Sequence, residues 1–339
     1  MTPQSYFQVR ADAKGYNFMH LSAMYDLYNK LYVDARVEPG RLQNEKKALA
    51  GMVSRSSIDG NVIVVGDRYY ESYNIFAHIE KRGWNYVIRV KDINSNGICS
   101  GLKLPSEGEF DVCLRKIFTR RNTIRVKSNP EAYRLLAGNQ PFDHLDKENH
   151  YFPMVFRVVR IRIGEDSYET LITNLGYEHF SSEEIREIYR LRWGSAVLLR
   201  KTDLRSPAFL PVHIETSFRE LKYAIGLANF HSKKQEFVTQ EIFARLIMYN
   251  FAAMITMHVA AAHADAKPKK QQTKHAYQIN FTVAVRICRN FLRLAHDRYM
   301  HPPDIEKLIR KNILPIRPNR KYPRAPRPKP VVSFMYRVA

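Results

Sequence analysis

Hydrophobic and polar positions change rhythm several times along this chain, and each change marks an element. Phe18-Met19-His20-Leu21-Ser22-Ala23-Met24-Tyr25-Asp26 and Leu31-Tyr32-Val33-Asp34-Ala35-Arg36-Val37 are rich in β-forming residues, and Tyr28-Asn29-Lys30 between them suits a hairpin connection. Two antiparallel strands are predicted. From Gln43 to Ser54 the apolar positions Ala48, Leu49, Met52 and Val53 fall at helical spacing behind a candidate Asn44 cap, which predicts a helix. The continuous apolar run Val62-Ile63-Val64-Val65-Gly66 reads as a strand, followed by a helix over about 71–81 and a strand over Tyr86–Val90. A continuous apolar strand between two helices belongs at the centre of a sheet covered on both faces.

From about Ile93 to Gly176 the pattern turns into short alternating runs, such as Phe110-Asp111-Val112-Cys113-Leu114 and Phe156-Arg157-Val158-Val159-Arg160-Ile161-Arg162-Ile163. A mostly β insertion with an irregular polar middle around 129–150 is expected. Ser181 and Glu184 form a capping-box signal, and Ile185, Ile188 and Tyr189 continue a helix from it. Helical patterns return from Glu215 to His263, and a polar linker, Lys267 to Gln272, separates them from a last helical stretch, Ile279 to His296. The run Leu246–Ala262 is apolar enough to raise a membrane helix. It is barely long enough to span and is interrupted by Asn250 and His258, so a helix buried all round is expected instead. Between Lys307 and Lys329 there are nine Lys or Arg among several prolines and no acid, which predicts an extended tail suited to phosphate contact or to solubility.

The totals narrow the class of molecule. At 339 residues and 45% hydrophobic, the chain can bury a substantial core in one large domain or two ordinary ones, which excludes disorder throughout. Lys and Arg outnumber Asp and Glu by 54 to 33, a formal charge of +21 that attracts polyanions: nucleic acid first, anionic membrane second. Cys99, Cys113 and Cys288 are scattered without CxxC spacing, which argues against a disulfide framework or a zinc site. The first residues lack the basic-then-apolar pattern of a signal peptide, so a cytosolic location is expected.

Candidate chemistry gathers in a few places. Asp67 follows the buried strand, and a carboxylate at the carboxyl end of such a strand points into the crevice where open α/β sheets hold ligands. Taken alone, an Asp there is more often a cap for the next helix. Tyr189-x2-Arg192 stands on the capped helix, and Glu215-x6-Lys222 lies further on. Glu215 and Lys222 are two helical turns apart and share a face, so one could hold a metal and the other a phosphate along one line of DNA backbone. By spacing alone an ordinary solvated pair is the commoner reading; Phe218, Leu221 and Tyr223 nearby make that surface partly apolar and argue against it. Phosphodiester cleavage by two metals needs several carboxylates converging on hard cations roughly 3.5–4 Å apart.

The order Tyr-x2-Arg-x3-Glu-x6-Lys resembles the signature of insertion-sequence transposases of the IS-four type, whose DDE catalytic domain has the RNase H-like fold. The resemblance extends to His20–Leu27, Tyr32–Ala35, Asp67-Arg68-Tyr69-Tyr70-Glu71-Ser72-Tyr73-Asn74, Ile88–Lys91 and Tyr189–Trp193. It implies an α/β fold: a mixed sheet flanked by helices, with a β insertion between the second catalytic Asp and the Glu. The organisation it implies is a first part of the catalytic core at 1–92, the insertion at 93–176, a helical second part at 177–300 and a basic tail at 301–339. Asp67 is then the second catalytic Asp and Glu215 the catalytic Glu, both binding Mg2+, with two ions in an intact site. Tyr189, Arg192 and Lys222 support the site and grip DNA near the cut, and Arg68 is a further DNA contact. DNA is the implied partner, as element terminal inverted repeats and as target, bridged by a homodimer. No membrane role is implied, and the implied location is cytoplasmic, at the bacterial nucleoid.

Two departures from that pattern bear on activity. RNase H-like folds lay down three antiparallel strands before the first helix, with the first catalytic Asp on the first of them, whereas only two strands are predicted before the helix here. The strand bearing that Asp is therefore expected to be missing. Asp12, Asp26 and Asp34 are weak substitutes, with structural or surface roles expected for them. In addition, 22 residues, Trp193 to Ile214, separate Arg192 from Glu215 where the pattern has three, and removing Ser195 to His213 restores it. Pro207 and Pro211 predict a loop for that segment. Two functions follow: a DNA transposase impaired by the lost Asp, or a catalytically inactive DNA-binding fragment or inhibitor derived from one.

Overall fold

A computed structural model of the chain describes residues 6–7, 16–193, 214–227, 229–265, 277–294, 304–315 and 335–336. The chain divides into two units, residues 44–192 and residues 1–43 with 193–339. The second unit begins with β1 (Tyr6–Phe7) and β2 (Tyr16–Asn17), which pair antiparallel, so four strands and not the two read from the sequence come before the first helix. The predicted hairpin follows as β3 (Met19–Asp26) and β4 (Leu31–Pro39), antiparallel with Ala23 opposite Ala35 and a register shift after Met24. Asp26 makes the turn: its carboxylate accepts the backbone N–H groups of Tyr28 and Asn29, both at 2.8 Å. Asp34 accepts the N–H of Ala35 at 2.7 Å. Both carboxylates thus act locally on the backbone.

The 44–192 unit is built on one mixed sheet. Asn44 accepts Lys47 N–H and starts α1 (Glu45–Arg55) as the sequence predicts. Then come β5 (Ile63–Gly66), a 3-10 turn at Arg68–Tyr70, α2 (Tyr73–Lys81) and β6 (Asn85–Val90). The alternating stretch supplies β7 (Phe110–Thr119), the short α3 (Ile124–Lys127), β8 (Tyr133–Leu135), β9 (Tyr151–Arg162) and β10 (Tyr168–Thr173), and α4 (Ser182–Arg190) follows. The strand order is β5-β6-β10-β9-β7-β8. β5 runs parallel to β6, and β10 is antiparallel to both β6 and β9. This is an α/β architecture with a six-stranded mixed sheet flanked by helices, consistent with an RNase H-like fold. The strands between 93 and 176 extend that same sheet.

β5 pairs on one side only; among the described residues no strand pairs its other edge. The β3–β4 hairpin forms a sheet of its own. The capping box forms as read: Ser181 N–H meets Glu184 Oε2 at 2.8 Å and Glu184 N–H returns to Ser181 Oγ at 3.3 Å. Two buried arginines cross-brace the sheet. Arg157 reaches Asp111 and the carbonyls of Leu175 and Phe180, and Arg160 reaches Asp92 through both carboxylate oxygens at 2.8 Å. The Arg160 guanidinium holds the Asp92 carboxyl down at about 2.

The remainder of the other unit is helical: α5 (Ile214–Tyr223), β11 (Asn229–Phe230), α6 (Gln235–Asp265), β12 (Tyr277–Ile279), α7 (Phe281–Leu294), α8 (Ile305–Arg310), β13 (Ile313–Pro315) and β14 (Met335–Tyr336). β12 pairs with β13 and β11 with β14. Its core joins Tyr32 of the hairpin to Leu221, Val238, Ile242, Leu246 and Tyr249. By length and composition α6 could cross a membrane. One face of it lies in the core, but Phe243, Ile247 and Met254 are exposed, so the helix is not buried all round. Asn250 on α6 grips the hairpin like a strand, accepting Tyr32 N–H at 2.9 Å and donating to Tyr32 C=O at 2.8 Å. The expected loop at Ser195–His213 and most of the basic tail lie outside the described residues.

Candidate active site

Asp67 follows the last residue of β5, where the chain leaves the sheet. Its Oδ1 accepts Tyr69 N–H at 2.9 Å and caps the 3-10 turn; its Oδ2 accepts Arg192 Nη2 at 2.9 Å. The capping role and the charged role therefore coexist on one carboxylate. Arg192 is held by what lies beneath it. α4 buries Ile185, Ile188 and Tyr189 in a core with Val87, Val159 and Leu171, and the chain then turns through Leu191–Trp193. Tyr189, 1% exposed, is the footing of that turn, and three residues later Arg192 projects to Asp67. Arg68 is exposed beside Asp67.

Glu215, Arg219 and Lys222 are all exposed on α5, while Ser217 and Leu221 are fully buried. The two-turn spacing thus puts a carboxylate and two cations on one solvent-facing side. Arg219, one turn after Glu215, is a member that the motif reading missed. The buried side of α5 is tied down by hydroxyls: Ser217 Oγ donates to Ile214 C=O at 2.8 Å, so the Tyr32 hydroxyl, 2.9 Å away, donates to Ser217. Glu220 accepts from the Tyr249 hydroxyl at 3.2 Å. Burial raises the Glu220 carboxyl above the usual range and lowers the Lys30 amine to about 8.

Asp67, Arg68, Tyr189 and Arg192 belong to the 44–192 unit, and Glu215 and Lys222 to the other. Residues 3–195 match the family model of the transposase DDE domain. The chain belongs to that family. No curated protein matches it. Transposase function and DNA as partner come with the family, and transposase DDE domains generally use divalent metal ions. The matched stretch holds Asp67, Tyr189 and Arg192 and ends before Glu215. Among the described residues, no three His, Cys, Asp or Glu converge into a metal-holding group.

Around Asp67 this transposase domain carries further groups: Glu45 and Lys46, which no motif announced, and Tyr70 and Glu71, which the Asp67–Asn74 segment contains without a role assigned to them. Lys46, in the first turn of α1, donates to Glu71 C=O at 2.9 Å and stands 5.7 Å from the Tyr69 ring centre; desolvation lowers its pKa. The Tyr70 hydroxyl points to Glu45, and burial raises its pKa, with the Glu45 and Asp67 carboxylates adding to the effect. Glu71 braces the chain after β6 by accepting Lys91 N–H at 2.9 Å and Ile98 N–H at 2.5 Å. In sequence these are ordinary polar or charged residues at helix or turn positions, and only the folded neighbourhood separates them from surface.

Proposed function

We propose that this chain is an insertion-sequence DNA transposase whose phosphodiester chemistry is impaired. The observation that carries the proposal is the Asp67–Arg192 pair at the end of β5, inside the family match. Asp67 and Glu215, each on its own unit, are the carboxylates that the family resemblance assigns to Mg2+, and they would hold it. A bound pair of such ions would supply activation of the attacking oxygen and relief of charge on the leaving one.

The chain's own groups do the rest. Arg192 neutralises Asp67 and fixes its orientation, so it must share that carboxylate with any cation. Tyr189 keeps Arg192 in place from below. Arg68 and Lys222 are the cations that contact DNA phosphate near the cut. Water cuts the element end, and the freed 3′ hydroxyl attacks target DNA by in-line displacement, with no covalent link to the protein. Terminal inverted repeats and target DNA are the substrates, and two copies of the chain bridge the two ends.

A second reading has its own support: a DNA-binding fragment or inhibitor without chemistry. Both Asp67 oxygens are engaged within the protein, Asp26 closes its own turn, and no third carboxylate joins Asp67 among the described residues. Misplacing a catalytic group by about 1 Å costs on the order of a hundredfold in rate. The test is Mg2+-dependent nicking of a duplex carrying the terminal repeat of the chain's own element, with Asp67→Asn and Glu215→Gln alongside. Weak nicking lost in both variants supports the impaired transposase. Repeat-specific binding with no nicking supports the second reading, and nicking that persists in both variants removes Asp67 and Glu215 from the chemistry.

A further inference from the structure

α7 divides its residues by side, with Leu292 the exception, exposed at the edge of the apolar side. Ala284, Val285 and Cys288 are buried, and the helix packs on α6 and α8. Thr282, Arg286, Arg289, Asn290 and Arg293 are exposed, and at helical spacing they lie together opposite Ala284 and Cys288. The 14 residues of α7 contain no acid and no lysine. Arg289 also borders a shallow cleft with Arg245, His231 and Glu241, but that carboxylate is already held at 3.0 Å by the amides of His231 and Ser232 and at 3.1 Å by Arg245.

We infer that the Arg286–Arg289–Arg293 side of α7 is a docking surface for the phosphate backbone of duplex DNA. This rests on the reading of DNA as partner and adds a place of contact outside both signature segments. The three cations recur over about 10 Å of one helix side. A duplex presents a charge about every 1.7 Å of its axis, so phosphates lie within reach in any register and no base sequence is needed. Arginine is the cation suited to this, because its planar fork meets phosphate oxygens in pairs. Like charges at i, i+3 and i, i+4 repel one another in the free chain, and a polyanion relieves that repulsion. An anionic membrane fits less well: a helix lying in a lipid interface inserts its apolar face, and on that face of α7 Ala284, Val285 and Cys288 are already buried in the core, with Leu292 alone exposed beside them.

The test is the salt dependence of binding of the full chain to a short labelled duplex of arbitrary sequence, by fluorescence anisotropy. Replacing the three arginines by glutamine should flatten the slope of log K against log salt by about 2.7, at about 0.9 per lost phosphate contact. A charge-keeping variant with Lys at the three positions should retain the slope. A control removing Arg121, Arg125 and Lys127, exposed on the other unit, should also leave it unchanged. An equal loss of slope in that control overturns the inference, because the charges then act without location. An unchanged slope in the glutamine variant overturns it while leaving DNA as partner; a parent chain that binds no duplex at low salt overturns both. Binding through α7 to phosphatidylserine vesicles and not to duplex also overturns it. Should the glutamine variant fold poorly, hydrogen exchange of α7 in the parent chain decides: protection on adding duplex supports the surface, and no protection rejects it.

Discussion

Arg192 donates to Asp67 at 2.9 Å across 125 residues of sequence, and one carboxylate thereby links the end of β5 to the turn after α4. The guanidinium is 15% exposed and the carboxylate 36%, so the pair is only partly screened by solvent. Arg192→Gln is expected to destabilise the chain by about 1 kcal/mol. It should also tighten Mn2+ binding several-fold, because Arg192 no longer competes for Asp67. Thermal melts and Mn2+ relaxation titrations check the two effects separately. Weaker Mn2+ binding in the variant would show that Arg192 organises the carboxylate for cation binding and does not compete for it.

Glu80 gives the 44–192 unit a pH dependence. Burial pushes its carboxyl up to about 7, and the hydrogen bond from Tyr86, 3.1 Å long, offsets only part of this. A folded-state pKa above the unfolded value means that the folded form binds more protons, so this contribution is full below about pH 4.5 and is lost as pH rises towards 7. The loss is on the order of 2 kcal/mol. Urea unfolding of Glu80→Gln should lack this fall. A variant that still tracks the parent across the window would place the pH dependence elsewhere.

Tyr32 and Ser217 should couple. Ser217→Ala takes the acceptor from the buried Tyr32 hydroxyl, at about 1–2 kcal/mol, whereas Tyr32→Phe costs less because Ser217 still donates to Ile214 C=O. The double variant should cost less than the sum of the two, since no buried hydroxyl is then left without its acceptor. A double-mutant cycle by chemical denaturation measures this, and strict additivity would count against the pair as a link between the hairpin and α5.

Asp111→Asn should be among the most damaging single changes in the 44–192 unit. Arg157 is 3% exposed, and Asp111 is its only carboxylate partner among the described residues. Removing that charge leaves a buried guanidinium unbalanced, at about 3 kcal/mol or more. Asp111→Asn combined with Arg157→Met should recover part of the loss, which melting temperatures of the three variants test.

Local signals were legible in the sequence because local chemistry makes them. The Asn44 cap, the Ser181–Glu184 box, the hairpin and the strand ending in Gly66 each depend on residues within a few positions, and each forms as read. Long-range pairings were not. Nothing in the sequence near Tyr32 announces Asn250, 218 residues away, as the group that satisfies its backbone. Nothing near Asp67 announces Arg192 as its counter-charge. The exposed side of α6 was missed because apolar content alone cannot say how many neighbours a helix will have. Arg219 was missed because attention to a spaced pair passes over the residue between.

β10 lies hydrogen-bonded between β6 and β9, and β6 in turn pairs with the strand that delivers Asp67. The stretch that composition sets apart as an insert is thus knitted into the ladder beside the candidate site. Deleting it would leave β6, now interior, as a bare sheet edge beside the strand that delivers Asp67. In engineering and in evolution alike, that stretch can vary at its loops, but it cannot be lifted out as a unit without loosening the strand that carries the carboxylate.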